Sequence, residues 1–368
     1  MEGQKYLVAL SHFKRFGPRR LKYLFDYFAS WQRVWEASPA DLAMAGIRPD
    51  IIDLFIYFRN QIDPDEIMKN LARKKIELAF LGEKLYPPLL REIYDPPPVL
   101  YYKGSLDEKT FAIPLAVVGT RKASDYGKRV SEEIVRDLAL AGLTIVSGLA
   151  LGIDAIAHKA ALKAKGQTVA FLGSGVDEIY PRTNHRLAQE IANNGGCLIS
   201  EYPPETPALK ANFPRRNRLI AGSCLGTLII EAAEKSGALI TGRSALEEGR
   251  EVFAIPGSIY SLTSVGPNNL IKLGARTVTT ADDIISMLGL PVLQRQATNV
   301  QTLSQSPEEE IILRALGDEA KHANELARET KLDINLINAR LIIMEMKGLI
   351  KLQGSSTYIK LRRSNLHS

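Results

Sequence analysis

From residue 115 to about 290 the chain alternates short apolar runs, most of them continuous, with helical segments, and this rhythm restricts the fold more than any other feature. The runs are LAVVGT (115–120), LTIVSG (143–148), TVAFLGSG (168–175), CLISEY (197–202), TLIIEA (227–232), EVFAIPG (251–257) and RTVT (276–279). A strand with one wet face alternates apolar and polar side chains, whereas an unbroken apolar strand needs cover on both faces. Strand–helix repetition supplies that cover from its own crossovers. The spacing therefore predicts an α/β core: a Rossmann-like, doubly wound sheet.

The flanks differ in pattern. Residues 1–75 are helical in periodicity and hold both tryptophans, Trp31 and Trp35. Two glycine turns, at Gly17-Pro18 and Gly46-Ile47-Arg48-Pro49, each open an amphipathic helix. That predicts an N-terminal helical domain of SAM or helix-hairpin-helix type. It is either a plain bundle or a pair of units whose turn amides and basic residues touch a nucleic-acid backbone. Proline density at Tyr86-Pro87-Pro88 and Asp95-Pro96-Pro97-Pro98 stops helices. It predicts a connector over 86–114 and a boundary, with the core domain assigned to 76–290. Residues 291–306, rich in Gln, Ser and Thr, read as a flexible linker. Over 307–362, helical segments followed by two short alternating strands around Gly354-Ser355-Ser356 predict a winged helix. Its presumed reading helix, 333–347, carries Arg340 and Lys347 but also Asp333 and Glu345. Such a helix is weakly charged for a groove reader, so a protein contact suits it at least as well.

A net charge of +6 and a pI near 9.1 favour an anionic partner. No apolar run reaches the roughly 18 residues of a membrane span, and the N-terminus MEGQKYLVALSHFKRFGPRR lacks the features of a signal peptide. Cys197 and Cys224 are the only cysteines and form no CxxC, and the five histidines stand singly. The expectation is a cytoplasmic protein without disulfides, metal or cofactor.

The chemistry gathers at the carboxyl ends of the strands, where open α/β sheets bind ligands. Those ends read Gly119-Thr120-Arg121, Ser147-Gly148, Gly173-Ser174-Gly175 and Pro256-Gly257-Ser258. Glycine admits a ligand close to the backbone, and the following helix aims free amides at an anion. The dinucleotide fingerprint GxGxxG is absent; in its place stands GTRKASDYG, whose Arg121 can hold a phosphate bidentately. After the fourth run comes Lys210-Ala211-Asn212-Phe213-Pro214-Arg215-Arg216-Asn217-Arg218, with Lys235 further on. Cations for phosphates beside an aromatic ring for a base make a single-stranded nucleic-acid site. Catalytic groups are hard to assemble: Asp154 and His158 are a lone i, i+4 pair, and Glu201, Glu231, Glu247 and Glu248 form no acid–base spacing. Ser174 stands outside a GxSxG elbow, and GxxxxGK[ST] is missing.

With these residues assembled, the core resembles the DprA/Smf family. The matching stretches include Val118-Gly119-Thr120-Arg121, Ser147-Gly148-Leu149-Ala150-Leu151-Gly152-Ile153-Asp154 with Ala157-His158, and Gly173-Ser174-Gly175-Val176-Asp177 with Tyr180-Pro181. Further along come Ile199-Ser200-Glu201-Tyr202-Pro203, Phe213-Pro214-Arg215-Arg216-Asn217-Arg218, Glu248-Gly249-Arg250-Glu251-Val252-Phe253-Ala254-Ile255-Pro256-Gly257 and Gly266-Pro267-Asn268-Asn269-Leu270-Ile271. The resemblance implies a non-enzymatic homodimer, formed through the Rossmann-like domain, that binds single-stranded DNA and loads the RecA recombinase in natural transformation or recombination. It also implies that Arg121 and Lys210 hold phosphates and Phe213 contacts a base. Gly119, Thr120, Gly148, Ser174 and Gly175 would add backbone or hydroxyl contacts. Ala238 and Gly242 depart from the family's SGSLITA pattern.

Two other readings compete. Gly226-Thr227 and Glu231 are what remains here of the PGGxGTxxE motif of the LOG phosphoribohydrolases, which would make the chain a nucleotide hydrolase. Alternatively, a nucleotide-sensing core could serve a winged-helix transcription regulator.

Overall fold

The computed structural model describes residues 3–290, 306–316, 320–346, 349–354 and 356–360. Apart from Ser306, the linker expected over 291–306 lies outside them, as does Lys347. The chain forms two compact units, residues 1–296 and 297–368.

The first unit opens with helices α1 (Gln4–Ser11), α2 (Pro18–Phe28), α3 (Trp31–Glu36), α4 (Pro39–Met44), α5 (Pro49–Arg59) and α6 (Pro64–Arg73). Proline starts α2, α4, α5 and α6, at a position whose missing N–H would find no helical partner anyway. Leu21, Leu24, Ile51, Ile52 and Phe55 pack with Phe13, Phe16 and Trp35 into a core of their own. Helices α1 and α6 also face the sheet: Leu7, Val8 and Leu71 share a second core with Phe80, Tyr101 and Leu172. Ser11 and Tyr101 close this seam with a 2.6 Å hydroxyl–hydroxyl hydrogen bond.

The sheet comprises β1 (Glu77–Phe80), β2 (Val99–Gly104), β3 (Pro114–Val118), β4 (Thr144–Ser147), β5 (Thr168–Phe171), β6 (Cys197–Ser200), β7 (Gly226–Ile229), β8 (Glu251–Ala254) and β9 (Arg276–Thr277). Its order is β1-β2-β6-β5-β4-β3-β7-β8-β9. From β6 to β9 neighbouring strands are parallel, while β2 pairs antiparallel with both β1 and β6. The crossovers are α7 (Asp125–Leu140), α8 (Ile153–Lys163), α9 (His185–Asn193), α10 (Asn212–Gly222), α11 (Gly237–Glu247) and α12 (Val265–Lys272), and α13 (Ala281–Met287) follows the last strand. Successive residues of β3 serve opposite faces. Leu115 and Val117 pack with Val135 and Leu138 of α7 and Ala157 and Ala161 of α8. Ala116 and Val118 pack in the layer of Leu219 and Ile220 of α10 and Ala245 of α11. Both faces are thus covered, as the apolar runs require.

The proline-rich stretch is not the expected boundary. It lies between β1 and β2, which pair with each other and extend the sheet. Tyr86 is fully buried there, and its hydroxyl donates to the Pro97 carbonyl at 2.8 Å. The prolines shape a packed loop within the first unit and do not divide it from the helices before it.

The second unit has α14 (Pro307–Leu316), β10 (Lys321–His322), α15 (Ala323–Thr330), α16 (Ile334–Met346), β11 (Ile350–Gly354) and β12 (Thr357–Lys360), with strand order β10-β12-β11. This is a winged helix, closed on Ile312, Leu316, Leu326, Ile337, Leu341 and Met344. On α16 the Arg340 guanidinium lies 3.6 Å from the Glu308 carboxylate, which weakens it further as a phosphate ligand. Among the described residues, no helix is long and apolar enough to cross a membrane.

Candidate nucleic-acid interface

Strand order reverses between β3 and β7, and the crevice at that reversal opens at the carboxyl ends of the strands. Helix α10 begins on the same rim, over the end of β5, two strands from β3. Asn212 donates from Nδ2 to the Gly173 carbonyl at 3.1 Å, holding the first turn against the end of β5. Phe213 then lies against Gly173, where an added Cβ would come within 2.9 Å of the ring. One turn on, Arg216 is only 5% exposed, and its Nη1 donates to the carbonyls of Gly148, at 2.7 Å, and Phe171. An added Cβ at Gly148 would sit 2.6 Å from that guanidinium. Glycine at both positions is demanded by side chains packed onto the backbone.

Arg216 shares this interior with Asp154, whose carboxylate accepts from the amides of Gly148 (3.2 Å) and Ala150 (3.4 Å). Burial raises the pKa of Asp154, opposed by the Arg216 charge and these amides. Burial likewise pulls Arg216 down, to about 10, so it stays charged at neutral pH.

Arg121 is exposed in the turn after β3, its guanidinium 5.8 Å from the centre of the Phe213 ring. The Tyr180 ring lies 5.5 Å from Phe213, inclined by 38°. Together with Gly148, Ala150, Leu151, Pro181 and Arg216 these residues line a small open pocket. It combines small and apolar side chains, two rings packed at an angle, and arginines at the rim and in the wall.

The structure distributes the other site candidates unevenly. Lys210, Arg215 and Lys235 are exposed and form no ion pair among the described residues. Gly119 and Thr120 lie beside the pocket, the Thr120 amide donating to the Glu231 carbonyl at 2.6 Å. The basic cluster expected at 215–218 is not uniformly exposed: Arg216 packs into the interior, and Arg218, on another side of the helix, is held by two carboxylates. Arg218 pairs with Glu201 at 2.6 Å and Asp95 at 3.2 Å, and burial raises the Glu201 pKa against that pairing. Ser174 is buried too, its hydroxyl donating to the Glu178 carbonyl at 2.6 Å. Gly175 is buried with its amide on the Thr206 carbonyl at 2.9 Å, and Asn217 donates to the Gly237 carbonyl at 3.3 Å. Sequence reasoning gives Tyr180, Ala150 and Leu151 no role at this site. Only the packing of Tyr180 on Phe213 reveals it as a wall of the pocket.

Among the described residues no catalytic set forms around the candidates. The Thr168 hydroxyl donates to the Ile145 carbonyl at 2.7 Å, so His158 Nδ1, 2.7 Å away, carries the proton and donates to Thr168. Burial pushes His158 down to about 3, and its Nε2 meets no partner. Glu231, the residue left from the hydrolase-like motif, is held by Ser124 N (2.9 Å), Ser124 Oγ (2.5 Å) and Thr263 Oγ1 (2.9 Å). It fastens the start of α7 and ties down the loop after β8. Among the described residues no His, Cys, Asp and Glu cluster could hold a metal.

Comparison with known proteins identifies the family. Residues 77–289 match the family model described as DNA recombination-mediator protein A, and residues 296–354 match the DprA winged helix domain. The protein Smf of Synechocystis is 35% identical over 96% of this chain and 98% of its own. The X-ray structure of DNA processing protein A from Streptococcus pneumoniae superposes with a TM-score of 0.67 at 38% identity, covering 77% of this chain and 97% of that one. A structure of DNA processing protein A from Helicobacter pylori, whose single-stranded DNA binding mode it reports, superposes at 0.52 with 33% identity over 58% of this chain and 95% of that one. The matched model denotes a recombination mediator, in keeping with a binding protein rather than an enzyme. The chain belongs to the DprA/Smf family.

Proposed function

We propose that this protein binds single-stranded DNA in the pocket rimmed by Arg121 and Phe213 and delivers it to the RecA recombinase, in natural transformation or recombination. The observation that carries the reading is the Arg121 guanidinium 5.8 Å from the Phe213 ring, at a pocket also lined by Ala150, Leu151 and Tyr180. A strand needs one group for its phosphate and one face for its base, and a duplex would keep its bases stacked out of reach. Lys210 and Arg215 flank the start of α10 and add phosphate contacts, with Lys235 contributing from the loop after β7. Gly119, Thr120 and Asn217 border the path, while Gly148, Ser174, Gly175, Arg216 and Arg218 act chiefly by holding its walls in shape. The single-stranded DNA bound by the H. pylori relative supports the substrate, and the family's description as a recombination mediator supports the delivery step. The working form is a cytoplasmic homodimer joined through the Rossmann-like domain, and the reading requires no cofactor.

The test is a competition between a labelled single strand and its duplex, followed by RecA filament growth on the bound strand. Single-strand preference and faster filament growth support the reading. Equal or better duplex binding contradicts it.

A further inference from the structure

Helix α2 turns Leu21 and Leu24 into the helical core and leaves its opposite side in water. On that side Arg19, Tyr23 and Tyr27 follow one another at four-residue spacing, which sets them in one line along the helix. Tyr23 is 52% exposed and Tyr27 50%. Beyond the helix the line continues: the Arg19 guanidinium lies 4.8 Å from the ring centre of Tyr94, which is 74% exposed. Lys14 and Arg15 are exposed just before α2. The helix's one acidic residue, Asp26, is already paired with Lys22 at 2.9 Å.

Contacts within the fold connect this row with the pocket. Tyr94 precedes Asp95, whose carbonyl and carboxylate oxygens lie 2.9 and 3.2 Å from Arg218 Nη1. Arg218 stands on α10, the helix that begins with Asn212 and Phe213. Exposed rings among cations, tied through Asp95 and Arg218 to the helix that carries Phe213, match a polyanion that carries flat bases.

We infer that α2 and Tyr94 form a second stacking surface for the same single strand, which leaves the Phe213 pocket, crosses Tyr94 and runs along Arg19, Tyr23 and Tyr27. The inference rests on the single-stranded DNA reading above. From Arg19 to Tyr27 the helix rises about 12 Å, so this extension serves long strands and leaves short ones untouched.

The full chain is tested with oligothymidylates of about 6 and about 25 nucleotides, lengths that fall within and beyond the ~4–16-nucleotide range of one site. Tyr23→Ala/Tyr27→Ala removes two exposed rings, with circular dichroism confirming the fold. Its affinity for the long strand is expected to fall about tenfold or more, with the short strand bound as by wild type. Tyr23→Phe/Tyr27→Phe keeps the rings and is expected to bind both as wild type does. An alanine variant that holds the long strand normally overturns the inference and leaves the row to a protein partner. Equal loss on both lengths also overturns it, as the sign of a general disturbance. Arg121→Ala binding both lengths normally is a separate pattern, and sinks the pocket reading itself.

Discussion

The Arg216 guanidinium donates to the Gly148 carbonyl at 2.7 Å, joining the first turns of α10 to the end of β4 from inside the protein. Truncating this side chain leaves two carbonyls unpaired and strips Asp154 of its buried counter-charge. Each buried polar group left without its hydrogen-bond donor costs about 1–3 kcal/mol. Urea unfolding of Arg216→Ala is expected to show a loss of that order. The same change at the exposed neighbour Arg215 is expected to alter stability by no more than ~0.5 kcal/mol. Arg216→Lys restores charge but not the planar fork, so recovery is expected to be partial.

Gly173 makes a second, more local test. An added Cβ would stand 2.9 Å from the Phe213 ring, so Gly173→Ala displaces the ring from its seat. Affinity for a short single strand is expected to fall about tenfold, as for loss of one base stack. Anisotropy titration measures it. Unchanged affinity would mean that no base rests on Phe213.

Acid should destabilise the core through His158. Its pKa is about 3 in the folded protein against an ordinary 6.5, so between those values the unfolded chain binds the proton and the folded one does not. The stability is fully present above pH 6.5 and is lost progressively as pH falls from 6.5 toward 3. His158→Gln removes this titration. The stability difference between wild type and variant, from urea unfolding at stepped pH, is expected to move against wild type as pH drops from about 6.5 to about 4. A difference independent of pH would contradict the buried neutral imidazole.

Glu231 is a structural anchor. Glu231→Ala frees Ser124 and Thr263 from their acceptor and is expected to lower stability by about 1–3 kcal/mol. Wild type is expected to release no free base from nucleoside monophosphates. Base release that depends on Glu231 would restore the hydrolase reading.

The strands from β3 to β8 are legible in the sequence because each is an apolar run bounded by glycine or polar residues, and the winged helix is legible from its helix and hairpin periodicities. Strands β1 and β2 are not, although Val99, Leu100, Tyr101 and Tyr102 of β2 are all buried. The prolines at 87–98 mask it, since proline marks irregular chain whether that chain is a linker or a packed loop. At the site, Arg121 and Phe213 are legible from strand ends and composition. The burial of Arg216 and the pairing of Arg218 with two carboxylates are not. A run of four polar residues tells little of orientation until the burial of Leu219 and Ile220 fixes which face of α10 meets the sheet. Tyr180 reaches Phe213 only by tertiary contact, which no local pattern announces.

The most direct test of the central claim is the salt dependence of single-strand binding for wild type and Arg121→Ala/Lys210→Ala. Each phosphate contact contributes about −0.7 to the slope of log K against log salt on single strands. The double variant is expected to bind much more weakly and to lose about 1.4 from the slope. A variant with wild-type affinity and slope would show that the strand does not pass Arg121 and Lys210, and would contradict the pocket as its binding site.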